Sequence, residues 1–467
     1  MLKRTLLLAA GIGLSFTATA LADRPEFRAD GSVRLGQKVF PTVAAYHTST
    51  EFQQSGARCG TPQLTEAEIA ALAPADCSMA GTTINPMYND DRTIVFQVVW
   101  HVIKRTDGVG DIPLALIHSQ MDVLNEDFQA IAGTLGGPGN DGMIRFHLAT
   151  VDPVGDPTTG ITYSVNNEWF SDSGSYWTSL AWDTHRFLNI YTNDAGGYLG
   201  YVPDIPQGGL VGESRDRVVV LWSAFGRDAP IGPPYDKGRT ATHEIGHYLG
   251  LWHTFDGGCA GGDCYRTGDV ICDTNSESGP EYGCPASSSS CGSPDPVHNY
   301  MNYSEELCMY EFTLEQINRM RCTLEHWRPD LATVGPDPPG TSYCRSLPNS
   351  TGAAATIWAE GSESIAANDL TLFSGPLPQD EFGIFYYGPN QIEVPFGNGF
   401  RCVGGSVQRL SVVSSGSEGR MEYALDLATA AGIGVLVTQN FQAWYRDPSA
   451  SPASFNLSDG LSIEFLP

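Results

Sequence analysis

The sequence predicts an α+β domain with a twisted mixed sheet and an α/β-like upper part, followed by an all-β sandwich. Three observations carry this. Between Thr93 and His253, strand-like apolar runs are interspersed with two helical patterns. A Gly-, Ser-, Asp- and Cys-rich stretch then leads to one more helical pattern. Beyond a proline-rich segment, residues 342–467 hold only short strand-like runs between Gly, Pro and Asn turns. Strands and helices in the first order form layered α/β or α+β units, and short strands punctuated by turns form sandwiches.

With 467 residues the chain is long enough for two or three domains, each with a real core. Residues 1–22 carry Lys3 and Arg4, an apolar run and the small-residue end Ala20-Leu21-Ala22, the pattern of a secretory signal cut before Asp23. That run is shorter than the roughly 20 residues that span a bilayer, and no later segment qualifies. The formal charge of -27 argues against nucleic acid and anionic membrane as partners, since both repel such a surface. Eleven cysteines in an exported chain imply disulfides, and the odd number leaves at least one sulfur for another use.

Residues 23–91 show few apolar runs and one helical pattern, "TEAEIAALAPADC" from Thr65, with capping-box spacing to Glu68 and Pro74 as its stop. This segment reads as a pro-segment. The domain over 92–333 opens with the buried strand "TIVFQVVWHVI". Next comes a helix with Ile117, Met121, Leu124 and Phe128 on one face. Strands are expected from Arg145, Arg186 and Arg217, then the helix "GRTATHEIGHYLGLWH" from Gly238. The loop from Asp256 to about Ser304 needs staples or a metal to be ordered. Thr313 and Gln316 then cap a closing helix with the stripe Leu314, Ile317 and Met320. A linker over 334–341 leads to the sandwich, with strands expected at "LTLFSG", "FGIFYYG", "QRLSVVSS" and "GIGVLVT".

The chemistry is concentrated in "HEIGHYLGLWH". On a helix His243 and His247 share a face, so both imidazoles reach one ion. Gly250 lets the helix end and the chain turn, which brings His253 round as a third nitrogen ligand. Three imidazoles leave zinc an open fourth position, the arrangement of a catalytic site. Glu244, beside the first ligand, is the general base that takes the proton of an attacking water and passes it to the leaving amine. The other histidines, His101 and His298 among them, lack such spacing and read as ordinary residues.

Together with "HNYMNY" from His298, these residues resemble the metzincin metallopeptidases, and more closely the pappalysin-type (M43-like) branch. Gly258-Cys259, "GDVICDT", Gly283-Cys284-Pro285, and Phe312-Thr313 with Gln316 also match, so the likeness runs from Cys59 to Arg328. It implies a secreted zinc endopeptidase with its cleft between upper and lower subdomains. Met301 would form the methionine turn, a hydrophobic base under the histidines without being a ligand. Tyr303 would stand near the metal, binding zinc at rest or stabilising the developing oxyanion. The resemblance further implies calcium at Asp269, Asp273 and the Thr274 backbone; here Asn275 replaces the family's usual Pro, and Cys264 and Cys272 are inserted. It implies the pairs Cys259 with Cys291 and Cys284 with Cys308. Cys264 with Cys272 is the natural local bridge, and Cys344 with Cys402 falls within the sandwich. Cys77 and Cys322 either bridge the pro-segment to the closing helix or are both free. Related enzymes favour a basic residue after the scissile bond, for which Glu305 and Glu306 are the pocket carboxylates available; a surface-facing glutamate pair is the alternative.

Cys59 stands in "RCG". Laid across the cleft, its sulfur can replace the catalytic water, Gly60 allows close backbone approach and Arg58 can pair with a cleft carboxylate. Related peptidases carry a similar Arg-Cys-Gly as a cysteine switch; a disulfide with Cys77 is the other use of this sulfur. Maturation is expected at Asp91-Arg92. The sandwich resembles accessory β-domains of secreted bacterial proteins, with Leu466 where their copies often end in cysteine, and reads as a surface, substrate-holding or secretion-related module. The expected partners are protein or peptide substrates, with no membrane span. Two other functions compete: a binding or adhesion protein on a metallopeptidase-like scaffold, and an exopeptidase. The intact Glu244 favours an enzyme over the scaffold.

Overall fold

A computed structural model describes residues 25–28, 32–63, 77, 85, 88, 92–156, 158–259, 264, 266–331, 333–334, 339–352, 354–417 and 419–467. The expected signal segment 1–22, the helical pattern from Thr65, and Asp91 of the expected maturation bond lie outside them. Met1–Ser55 and Gly56–Pro467 form two compact units.

In the first unit, strands β1 (Glu26–Phe27), β2 (Val33–Leu35) and β3 (Lys38–Phe40) make an antiparallel sheet in that order. Helices Val43–His47 and Thr50–Ser55 follow, and the Thr42 hydroxyl caps the first by accepting from Ala45 N at 3.0 Å. Buried Phe40, Tyr46 and Phe52 stack into a small core. Elements this short escape any periodicity reading, so a segment that looks featureless in sequence has a core of its own.

The second unit begins with the expected mixed sheet. Strand β4 (Ile94–Lys104) is buried along nearly its whole length because apolar side chains pack on both its faces, and both its edges are paired. One edge carries β5 (Ile144–Leu148) and β6 (Ile161–Val165) end to end, both parallel; the other carries parallel β7 (Leu188–Asn193) and antiparallel β10 (Thr333–Val334). Strand β9 (Val218–Leu221) adds in parallel to β7, and β8 (Gly200–Tyr201) closes the sheet as an antiparallel edge. The long helix Leu114–Gln129 covers the sheet with Ile117, Met121, Leu124 and Phe128, the face read from sequence.

Helix Arg239–Tyr248 lies deep in this layer, with all its residues buried. Its N-terminus has no side-chain N-cap of its own. Glu306 supplies one from afar, accepting Thr240 N at 2.6 Å and Lys237 N at 2.7 Å, as a carboxylate at a positive helix end should. The closing helix Leu314–Trp327 has the capping box expected of Thr313 and Gln316.

Disulfides join Cys259 to Cys291, Cys264 to Cys272, Cys284 to Cys308 and Cys344 to Cys402 as expected, and Cys77 to Cys322, leaving Cys59 alone free. Two antiparallel sheets then form the sandwich. One holds β11 (Thr341–Tyr343), β20 (Phe455–Glu464), β19 (Thr438–Arg446), β14 (Phe382–Gly388) and β17 (Gln408–Ser414); the other holds β12 (Thr356–Glu360), β13 (Thr371–Gly375) and β18 (Met421–Ala424). Their facing sides bury Ile357, Leu372, Phe385, Met421, Phe441 and Ile463. "GIGVLVT" is not a strand: Val435, Leu436 and Val437 are exposed in a turn before β19. Its apolar letters match a strand, but the two glycines and the tight Val437 N to Gly434 O turn bond stop it from running straight.

Candidate metal centre

His243 and His247 sit one turn apart on the buried helix, their Nε2 atoms 3.2 Å apart. The helix ends at Leu249 and Gly250 takes φ +89°, a left-handed conformation that glycine adopts without strain. A Cβ there would also press on Thr323 Oγ1 at 2.5 Å, so the turn is glycine for two reasons. The reversed chain returns His253, whose Nε2 lies 3.0 Å from that of His247. Donor atoms of Cys59, His243, His247 and His253 all lie within 4.8 Å of one another.

The hydrogen bonds on the far sides of the rings identify what these atoms present. His243 Nδ1 donates to Tyr300 O at 2.6 Å and His247 Nδ1 to Leu251 O at 2.8 Å, so each ring carries its proton there. Burial drives both pKa values well below the ordinary histidine range, keeping the rings neutral. Their Nε2 lone pairs therefore face each other across about 3 Å in a water-poor interior, an arrangement that is repulsive until a cation enters. Tetrahedral zinc bonds of about 2.0–2.1 Å put nitrogen ligands about 3.3 Å apart, close to the spacing found. The donor set fits zinc. His253 is held differently, by Asp256, whose carboxylate is 3.1 Å from Nδ1 through Oδ1 and 3.2 Å from the His253 amide through Oδ2.

Glu244 points at the same space. Burial raises its carboxyl to about 8, against the pull of Arg58, Cys59 and Thr61. Its Oε2 takes bonds from Thr61 Oγ1 at 3.1 Å and Cys59 Sγ at 3.5 Å, while Oε1 is buried without a hydrogen-bond partner among the described residues. Gly200 on the edge strand makes this possible, since a Cβ there would come within 2.7 Å of Glu244 Cγ. Met301 lies beneath the centre, wholly buried, with its sulfur against Gly246, where a Cβ would collide with it. The Tyr303 hydroxyl is 3.3 Å from His253 Nε2, and its ring packs edge-on against Phe255 and His253. Burial pushes that phenol well above its ordinary range.

Residues 57–61 cross the mouth of the centre as an irregular segment bonded to the sheet edge. Leu199 N donates to Ala57 O, and Gly60 N donates to Gly200 O, both at 2.9 Å. Val202 N donates to Thr61 Oγ1 at 3.0 Å. The bonded positions rise along both chains together, so this segment runs in the same direction as β8. Gly60 packs under the Tyr198 ring, where a Cβ would meet ring carbons at 2.6–2.9 Å. Arg58 is fully buried, its guanidinium 5.1 Å from the Tyr235 ring centre and 3.4 Å from Thr240 Oγ1. Thr240 Oγ1 in turn donates to Glu306 at 2.8 Å. Glu306 is thus buried beside the Arg58 pocket, whereas Glu305 is half-buried with its amide bonded to Gly283 O.

The residues expected to hold calcium are bonded to the closing helix and to their own loop. Asp273 accepts from Thr313 Oγ1 at 2.6 Å and Glu315 N at 3.0 Å, while Asp269 accepts from Gln316 Nε2 and Ile271 N, both at 3.1 Å. Thr274 Oγ1 is 3.5 Å from Thr313 Oγ1. His101, paired with Thr162 and Asn189, and His298, bonded to Cys308 O, lie in ordinary structural settings. Sequence reasoning missed Asp256, Thr61, Thr240, Tyr235 and Gly200. Asp256 alone had a signal, a carboxylate three residues beyond a proposed ligand.

A family model described as Pregnancy-associated plasma protein-A, the Peptidase_M43 family, matches residues 173–325. The chain is 34% identical over 244 residues to extracellular metalloprotease 1 of Coccidioides posadasii, covering 50% of this chain and 78% of that protein. It is 38% identical over 241 residues to an extracellular metalloprotease of Podospora anserina, covering 49% and 73%. Among solved structures, a promirolysin variant of Tannerella forsythia is 30% identical, covering 58% of this chain and 96% of that one, with a TM-score of 0.49. Mature mirolysin of Tannerella forsythia in complex with a cleaved peptide is 34% identical, covering 52% and 98%, with a TM-score of 0.43.

Proposed function

The chain belongs to the pappalysin-type (M43) family of zinc metallopeptidases, and from that membership we propose a secreted endopeptidase held latent by its own residues 57–61. The observation that carries the catalytic reading is the convergence of three imidazole nitrogens on one point beside a buried carboxylate oxygen of Glu244 that has no hydrogen-bond partner among the described residues. His243, His247 and His253 hold the ion. Zinc in that cradle supplies Lewis acidity that lowers the pKa of an attacking water and polarises the scissile carbonyl.

The remaining work falls to the protein. Glu244 takes the water's proton and delivers it to the leaving amine. Tyr303 offers its hydroxyl to the oxygen on which charge develops, and Met301 floors the site. Edge strand β8 offers backbone groups to an extended peptide, which is how residues 57–61 bind. In the latent chain Cys59 supplies the fourth donor, so water and substrate are both displaced.

Arg58 supports a basic preference after the scissile bond. Its side chain fills a pocket of Tyr235 and Thr240 with the Glu306 charge behind them, which is what a substrate arginine would need. Export through residues 1–22 accords with the relatives' description as extracellular, and no helix among the described residues is long and apolar enough to cross a membrane. The reading also assigns calcium to Asp269, Asp273 and the Thr274 carbonyl. Burial raises Asp269 to about 7 against the pull of Arg319, Gln316 and the Ile271 amide, and the assignment rests on the hard carboxylate and carbonyl oxygens that suit this ion. Titration of chelator-treated protein with Ca2+ and no heat of binding would remove that assignment.

The decisive test is hydrolysis of a peptide library by matured protein, with and without a zinc chelator, beside Glu244→Ala. The untreated enzyme is expected to favour Arg or Lys after the cut, and activity is expected to vanish with the chelator and in Glu244→Ala. Activity that survives both arms would overturn the catalytic reading, and cleavage indifferent to Arg or Lys would overturn the pocket.

A further inference from the structure

The expected maturation bond, Asp91-Arg92, lies C-terminal to Cys77, and Cys77 is bonded through sulfur to Cys322 on the closing helix. A cut there hydrolyses one amide, leaving a new carboxylate and a new amine, and does not touch the disulfide. Cys59 would remain joined to the enzyme through the 17 residues that separate it from Cys77. A tether of that length holds its end at an effective concentration of about 1 mM. A blocking segment with a Kd below about 10 μM would then leave under about 1% of molecules open.

The sequence removes the other self-made route. Between Arg58 and Arg92 there is no Lys or Arg. An enzyme that cuts before basic residues therefore has only Ala57-Arg58 and Asp91-Arg92 in this stretch, and either product keeps Cys59 on the tether.

The far side of the tether is built into the protein. Cys77, Tyr88 and Cys322 form a buried cluster with Trp327 packed on it. The Tyr88 hydroxyl is 2.9 Å from His326 Nε2, Arg321 Nε donates to Tyr88 O, and Asn85 N donates to Asn318 Oδ1 at 2.8 Å. Arg321 Nη2 reaches Arg92 O at 3.1 Å, and Arg92 pairs with Glu325 at 2.6 Å.

Resting on the reading that residues 57–61 block the centre, we propose that latency ends with a cut between Thr61 and Cys77. A protease of another specificity makes that cut, one that accepts apolar or acidic sequence. Residues 77–92 then stay as a permanent, disulfide-anchored part of the mature enzyme.

The test places the recognition sequence of a site-specific protease in the full chain, after Glu66 in one variant and after Asp90 in another. Each is cut, weighed by mass spectrometry without reductant and assayed on an Arg-containing peptide. Cutting after Glu66 is expected to release the chain N-terminal to the cut, Cys59 included, and raise activity about 100-fold. Cutting after Asp90 is expected to leave the Cys59 fragment attached and activity within about tenfold of the uncut chain. Adding Cys77→Ser and Cys322→Ser to the second variant should free the fragment and match the first. The single-cut arms keep all native cysteines, so they decide the matter even if the double variant misfolds. The proposal is overturned by fragment loss after the Asp90 cut with native cysteines, by full activity while the fragment is held, or by natural active enzyme that begins at Arg92 with no Cys77 peptide. Uncut Cys59→Ala tests the blocking reading separately, because it leaves the tether intact.

Discussion

Replacing Asp256 should loosen zinc without touching a ligand. His243 and His247 are oriented by backbone carbonyls, which no substitution removes, but His253 is oriented by the Asp256 carboxylate, itself only 2% exposed. In Asp256→Asn the amide oxygen can still accept from Nδ1, but the NH2 in place of Oδ2 cannot accept from the His253 amide, so the charge and one bond are lost; about tenfold in zinc affinity is expected, the low end for such partners. In Asp256→Ala both bonds go, to His253 Nδ1 and to its amide, and about a hundredfold is expected, or about 2.7 kcal/mol. Competition of the full chain with a zinc-binding dye, read at equilibrium, measures this without reference to turnover. If both variants bind within about twofold of the parent, the carboxylate does not support His253 and the reasoning fails.

Gly60→Ala should weaken latency, because its Cβ would drive into the Tyr198 ring; uncut protein should then hydrolyse peptide several-fold faster, and unchanged silence would show that the ring simply moves aside. Tyr303→Phe should lower kcat about 10²-fold with zinc affinity intact if its hydroxyl serves the oxyanion; undiminished turnover would leave it a packing residue. Glu277, bonded to Thr254 and Asn302, is raised by burial from 4.5 to about 8, so the folded state binds the proton more tightly than the unfolded one. Stability from this group is full below about pH 4.5 and is lost as pH rises towards 8. Glu277→Gln should flatten the fall of Tm across that window, and an unchanged slope would count against the shift.

What was legible in the sequence was what depends on neighbours along the chain. His243 and His247 are set by helix periodicity, and the return of His253 by one glycine. Thr313 and Gln316 declared the closing helix. Asp256 is as near, and its place three residues beyond a ligand is a signal, but a faint one in a chain with 53 acidic residues. Thr240 and Tyr235 become pocket walls only once Arg58, 182 residues upstream of Thr240, is laid against them. Glu305 and Glu306 are adjacent letters with different fates, since the helix N-terminus captures only the second. "GIGVLVT" failed because hydrophobicity was read without asking whether its glycines could run straight.

Residues 57–61 also protect the molecule from itself. The edge of the sheet at Leu199, Gly200 and Val202 has its outward amides and carbonyl satisfied by Ala57, Gly60 and Thr61. An uncovered edge is a template for any extended chain, including another copy of this one. The same segment fills the place that a neighbour's strand could take. On the proposed latent reading, the covering that silences the enzyme would therefore also guard against self-association, and its removal would open a strand edge for peptide substrate.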